Sequence, residues 1–216
     1  MEIAILTFER ITALDAVGPY EVLSKLPDAR VRWVGKERGQ VVADGGLRMG
    51  VDATLDEVRS PDIVLVPGGY GTRRLLDDEP VLDWLRHVHE GARFTTSVCT
   101  GSIVLASAGL LKGLEATTHW ARYDWLEARG ARPTSRRVVE QGKIITSAGV
   151  SSGIDMALVL AAKLVGEDRA RAIQLAIEYD PQPPFDAGSP DKAPAGLADR
   201  IRARMDAYED PDDAQA

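Results

Sequence analysis

The chain has 216 residues, 44% hydrophobic and 27% charged, a balance that suits a folded domain with a sizeable core and excludes a disordered chain, a collagen-like chain and a membrane bundle. Asp and Glu number 33 against 26 Lys and Arg, a formal net charge of −7, so the chain is a poor binder of nucleic acid, whose phosphates demand a basic surface. The single cysteine, Cys99, excludes an internal disulfide and gives no sign of an oxidising compartment.

Glu2 stands where a signal peptide would carry basic residues, and the most apolar stretch, Ser97 to Leu111, is shorter than the ~20 residues of a membrane span. A cytoplasmic, soluble protein without membrane or nucleic-acid partners is expected. In chain order, Ile3 to Phe8 reads as an apolar strand, followed by a helix through Leu14, Val17 and Leu23 that Pro27 stops. Val31 to Val34 alternates as a strand does, and Gly45-Gly46 marks a turn in a hairpin region. Asp62 to Pro67 is a near-continuous apolar run, the signature of a strand buried on both faces. Thr72 to Glu90 reads as one helix, Phe94 to Val98 as a strand, and Gly101 to Leu111 as a helix buried nearly all round.

The second half repeats the rhythm. Ala116 to His119 reads as a short strand, Ala121 to Arg129 as a helix, and Arg137 to Ile145 as a hairpin turning at Gln141-Gly142. Helices follow at Ile154 to Val165 and Glu167 to Ile177. Strands alternating with helices predict an α/β fold with a mostly parallel sheet and helices on both faces. Five of the twelve prolines fall within the segment 180–194, which is therefore irregular. A single domain over 1–195 is expected, then a last helix from Ala195 to Tyr208 and an acidic tail, together spanning 196–216.

Four signals bear on chemistry. Cys99 lies between a strand and the helix opening at Gly101, the carboxyl edge where open α/β sheets place ligands. The free N–H groups and dipole of a helix start favour thiolate there; the alternative is a cysteine acting as a small buried hydrophobe. Gly149-Val150-Ser151-Ser152-Gly153 is a literal G-x-S-x-G between strand and helix. Its base would be a histidine after the serine, yet His87, His89 and His119 all precede it, so it reads as a second glycine turn with a serine helix cap. Pro67-Gly68-Gly69-Tyr70-Gly71 lacks both the G-x-G-x-x-G spacing and the P-loop lysine. It reads as a loop of bared N–H groups facing Cys99. His87 and His89 do not share a helix face, so both read as solvated residues. No metal site or cofactor is expected.

The position six after Cys99, where a phosphatase loop carries Arg, is Leu105, and no downstream His-x-Glu completes an amidotransferase triad. His119 either assists Cys99 or is a hydrogen-bonded core histidine. Asp15, an acid among apolar neighbours before Gly18-Pro19, either caps a helix or, repelled by a thiolate, holds its proton and donates it as a general acid.

The elbow Ser97-Val98-Cys99-Thr100-Gly101-Ser102, the loop Pro67-Gly68-Gly69, Asp15 before Gly18-Pro19, Thr117-Thr118-His119-Trp120 and the stretch from Tyr179 to Asp191 together resemble the ThiJ/PfpI superfamily, and within it the isocyanide hydratases. The resemblance spans roughly residues 2–195. It implies a flavodoxin-like three-layer α/β sandwich with a cysteine on a nucleophile elbow, usually a homodimer. It also implies a reaction, the addition of water to an isonitrile to give an N-substituted formamide. Cys99 is then the nucleophile, Asp15 exchanges protons with substrate and water, and the Thr100 N–H with Gly69 steadies a covalent thioimidate. Gly68, Gly69, His119 and Val150 are the candidate substrate- and oxyanion-binding positions. Thr100 stands where the proteolytic and chaperone-like branches often carry His, which argues against a peptidase. The remaining readings are a cysteine-based oxidation or ligand sensor, a glyoxalase-like enzyme, and the ligand domain of AraC-type regulators. This chain is expected to have no room for the last group's helix-turn-helix domain.

Overall fold

The computed structural model describes residues 1–207; the expected acidic tail lies outside the described residues. Two compact units divide the chain, Met1–Glu178 and a second from Tyr179 onward, so the expected domain end at 195 falls inside the second unit. That unit is irregular through 179–196 and then forms one helix, Leu197–Asp206.

The first unit opens with β1 (Glu2–Leu6), α1 (Ala13–Leu23) and β2 (Arg30–Gly35). A separate antiparallel hairpin follows, β3 (Gly39–Val42) and β4 (Arg48–Val51), then the short β5 (Ala53–Thr54) and β6 (Ile63–Val66). Next come α2 (Thr72–Leu75), α3 (Glu79–Gly91), β7 (Phe94–Val98) and α4 (Gly101–Ser107). β8 (Glu115–Ala116), α5 (Tyr123–Glu127), β9 (Arg132–Pro133), β10 (Val138–Gln141) and β11 (Ile144–Ser147) lead to α6 (Ser152–Val165) and α7 (Glu167–Ala176).

Seven strands form the central sheet in the order β10-β11-β7-β6-β1-β2-β5. Every neighbouring pair is parallel except β10 and β11. The strands β2-β1-β6-β7-β11 reproduce the flavodoxin-like order, whose switch point lies between β1 and β6. Every residue of β6 is buried, as the unbroken apolar run requires. Helices α1, α6 and α7 pack together, and α2, α3 and α5 pack on α4.

Three departures from the sequence reading have local causes. The expected helix Thr72 to Glu90 breaks at Leu76–Asp78 because Pro80 has no N–H to continue the ladder; it sits instead in the first turn of α3, where none is needed. The helix expected to reach Leu111 ends at Ser107, and Gly109 follows at φ +83°. Of the expected strand Ala116 to His119 only Ala116 pairs, with Glu115 beside it, against β9. The Thr117 N–H donates to the Thr146 side-chain Oγ1 of β11 at 3.0 Å instead of to a strand's backbone carbonyl.

Two glycines let α1 and α6 approach closely. A Cβ on Gly18 would lie 3.1 Å from Ile154, and one on Gly153 would lie 2.9 Å from both Pro19 and Val98. This contact seats the start of α1, and with it Asp15, against the elbow that follows β7.

Candidate active site

The carboxyl ends of β1, β6 and β7 each deliver one part of the site. β7 ends in a turn so sharp that Cys99 takes φ +56°, the left-handed region that costs an L-residue roughly 1–2 kcal/mol. Hydrogen bonds on both sides hold it. Its N–H donates to the carbonyls of Ser147 and Ala148 at 3.1 and 3.0 Å. Its own carbonyl accepts from the Thr118 hydroxyl at 2.9 Å and the Ser102 hydroxyl at 3.1 Å. A Cβ on Gly101 would lie 2.0 Å from the Val66 carbonyl oxygen, so only glycine lets α4 start this close to β6.

Asp15 is fully buried in the first turn of α1. Its Oδ2 accepts the Gly68 N–H at 2.9 Å, its Oδ1 is buried without a hydrogen-bond partner among the described residues, and the carboxyl and the Cys99 thiol are near enough to shift each other's titration. Burial raises the Asp15 pKa to about 7; the Gly68 N–H and the Cys99 thiol oppose this, and the charge of Asp44 adds to it. The proton expected on Asp15 thus owes more to desolvation than to a neighbouring thiolate.

The thiol behaves differently from the sequence expectation. Burial and then the Asp15 charge push its pKa well above the ordinary value, against the opposing hydrogen bond from the Thr100 N–H. A helix of seven residues supplies too little at its start to offset complete desolvation of the sulfur. Asp15 and Cys99 therefore titrate as a pair, and a charge on one keeps the proton on the other.

The glycine loop is committed rather than bared. The Gly68 N–H holds Asp15, and the Gly69 N–H donates to Thr100 Oγ1 at 3.0 Å. Thr100 Oγ1 also accepts from the Thr72 hydroxyl at 3.1 Å. The Gly69 N–H, expected at an oxyanion, here anchors Thr100, whose own N–H acts on the sulfur. A Cβ on Gly68 would lie 2.6 Å from Thr100 N and 2.7 Å from Asp15 Oδ2, which makes this glycine the space through which the acid and Thr100 meet.

His119 caps a 3₁₀ turn, its Nδ1 accepting the Ala121 N–H at 3.3 Å. Burial, with a smaller part from Arg122, lowers its pKa to about 4, so it is neutral at pH 7 and caps a turn. Its ring lies flush on Gly149, where a Cβ would be 2.5 Å from Cδ2. Val150 is half-buried and packs against the core. Ser151 holds the N-cap position of α6 without a side-chain cap bond; it is exposed and its hydroxyl accepts from Arg137 at 3.2 Å. His87 is exposed, but His89 is half-buried and its Nδ1 pairs with the Thr95 hydroxyl at 2.8 Å, so it is not the solvated residue expected. Among the described residues no three His, Cys, Asp or Glu side chains are grouped to hold a metal, and no helix is long and apolar enough to cross a membrane.

Ser102 and Thr118 stand in the motifs that carry the resemblance, but their role as supports of the Cys99 carbonyl was not read from the sequence, where such hydroxyls look like ordinary core polars. The repeated Thr117-Thr118 beside a strand was the available hint.

Residues 1–163 match the DJ-1/PfpI family. The isonitrile hydratase of Pseudomonas putida is 47% identical over 204 residues, covering 94% of this chain and 90% of that protein. The crystal structure of a ThiJ/PfpI family protein from Pseudomonas syringae superposes with a TM-score of 0.88 at 39% identity, covering 94% of this chain and 84% of that one. The HTH-type transcriptional regulator CdhR of Pseudomonas aeruginosa is 31% identical over 173 residues, and the match covers 78% of this chain but 49% of the regulator.

Proposed function

The chain belongs to the DJ-1/PfpI family, and from that membership and the buried Asp15–Cys99 pair we propose that it is an isonitrile hydratase, converting R–N≡C and water to R–NH–CHO. The observation that carries this reading is the acid paired with a recessed thiol. Cys99 is only 5% exposed, so the group it attacks must be slender, and a linear isonitrile ends in its electrophilic carbon. The 47% identity with the Pseudomonas putida isonitrile hydratase supports the same substrate class.

The chemistry needs one group that takes and gives a proton near neutral pH, and an acid with a pKa of about 7 does both. As Sγ bonds to the terminal carbon, the Asp15 carboxylate accepts the thiol proton and delivers it to that carbon. The product is a thioimidate, Cys–S–CH=N–R. Water then adds to the same carbon, Asp15 passing one of its protons to nitrogen. The adduct collapses, the C–S bond breaks, sulfur recovers the hydroxyl proton and the formamide leaves. The Thr100 N–H steadies the sulfur throughout.

The lone thiol supports a cytoplasmic setting, and the superfamily resemblance supports a homodimer. The test is turnover of p-nitrophenyl isocyanide by purified protein, read as formamide by NMR, with methylglyoxal in parallel. Formamide production that Cys99→Ala abolishes and Asp15→Asn slows by orders of magnitude supports the reading. Methylglyoxal turnover alone favours the glyoxalase-like alternative, and peroxide modification of Cys99 without turnover favours the sensor.

A further inference from the structure

The β3–β4 hairpin lies outside the central sheet, yet its turn grips the two loops that carry the acid side of the site. The Asp44 N–H donates to the Ile11 carbonyl at 3.0 Å, and the Arg10 N–H donates to the Val42 carbonyl at 2.8 Å. The Val42 N–H in turn donates to Glu9 Oε2 at 2.9 Å. The Asp44 carboxylate goes further. Its Oδ2 accepts from the Thr12 hydroxyl and from the Tyr70 N–H, each at 3.4 Å, and its Oδ1 pairs with Arg10 Nε at 3.2 Å. Thr12 flanks the start of α1, three residues before Asp15, and Tyr70 follows Gly69. The same two loops are joined directly where the Thr12 N–H donates to the Gly68 carbonyl at 2.9 Å. A single carboxylate thus ties the loop that brings the general acid to the loop whose Gly68 N–H holds that acid.

We propose that Asp44 is a positioning residue of this active site, its carboxylate clasping the Thr12 and Tyr70 loops and setting, through its charge and its Arg10 partner, how readily the Asp15–Cys99 pair gives up its proton. The inference deepens the hydratase reading and rests on it only for the turnover assay.

The charged surroundings of Asp15 are few. The β7–α4 elbow presents Cys99, the hairpin presents Asp44, and the β6–α2 loop presents the uncharged Gly68 N–H. From α6, packed on α1, Asp155 and Lys163 are paired with Arg137 and Glu140 respectively. Asp44 is therefore the fixed anion to which Asp15 responds, and its side chain and that of Arg10 are only 22% and 25% exposed. An anion so placed opposes a second negative charge on Asp15.

Two variants give shifts of opposite sign, which loosening of the loops alone would not produce. Asp44→Asn keeps an oxygen acceptor for Thr12 and Tyr70 but removes the charge. Arg10→Gln leaves the Asp44 charge less neutralised. The Asp15 carboxyl can be followed by 13C NMR in labelled protein, so its titration is read whether or not an isonitrile is turned over. Its midpoint is expected to fall by about half a pH unit in Asp44→Asn and to rise in Arg10→Gln, with both shifts shrinking at 1 M salt. The limb of the pH–kcat/KM profile that Asp15 governs moves the same way. Unchanged midpoints in two variants with wild-type circular dichroism, or shifts of the same sign, overturn the proposal. Opposite shifts of the Asp15 midpoint in a protein that makes no formamide retain the Asp44 clasp and overturn the hydratase reading instead.

Discussion

The hydroxyl of Thr118 donates to the carbonyl oxygen of Cys99 at 2.9 Å and so braces the nucleophile's left-handed backbone from a segment 19 residues further along the chain. The bond is buried, and Thr118 is fully inaccessible to solvent. Replacing the hydroxyl by a methyl group leaves the carbonyl to Ser102 alone. Thr118→Val is expected to lose about 1–2 kcal/mol in urea unfolding and to lower kcat. Thr118→Ser, which keeps the hydroxyl, is expected to recover most of the activity; equal kcat for Val and Ser would dismiss the brace.

Gly68 is the position at which added volume does most harm for its size. A Cβ there would lie 2.6 Å from the Thr100 backbone nitrogen and 2.7 Å from Asp15 Oδ2, contacts that backbone cannot relieve by a rotamer change. Gly68→Ala is expected to cost about 100-fold in kcat/KM by misplacing the acid against the thiol, with far-UV circular dichroism unchanged. Steady-state kinetics on p-nitrophenyl isocyanide decides it, since near-wild-type turnover would mean the acid has room to move.

Asp15 and His119 act in opposite senses on acid stability. The folded-state pKa of Asp15 is raised from 3.8 to about 7, so its contribution is full below pH 4 and disappears as pH rises through 7, a change of up to ~4 kcal/mol. His119 is lowered from 6.5 to about 4, so its contribution is full above 6.5 and disappears as pH falls through 4, by ~3 kcal/mol. Between pH 4 and 6.5 the two largely cancel. Urea unfolding at pH 4.5 and 8 is expected to show Asp15→Asn losing stability on acidification relative to the wild type, and His119→Gln gaining it. Parallel pH curves for all three proteins would contradict both assignments.

Much of the fold was legible because its punctuation is chemical. β7 was read to the residue, and the hairpin at Gln141-Gly142 is present, with Gly142 at φ +62°. Cys99 stood out because a strand, a lone thiol and Gly101 follow one another, and the Val66 carbonyl explains why that glycine is needed. What stayed hidden depends on partners distant in sequence. Nothing near Asp44 announces that it clasps Thr12 and Tyr70. The loop N–H groups that looked available to a ligand are taken by Asp15 and Thr100. The sulfur's environment was misjudged because a helix start is visible in a sequence and the depth of burial is not. The break between α2 and α3 was readable from Pro80, but the leucines on both sides continue the helical period across it.

The carbonyls of Ser147 and Ala148 that receive the Cys99 N–H belong to the end of β11, nearly fifty residues after the thiol. The nucleophile therefore cannot hold its strained turn until the last parallel strand has joined the sheet. Chemistry at Cys99 thus certifies that β11 is in its place in the sheet.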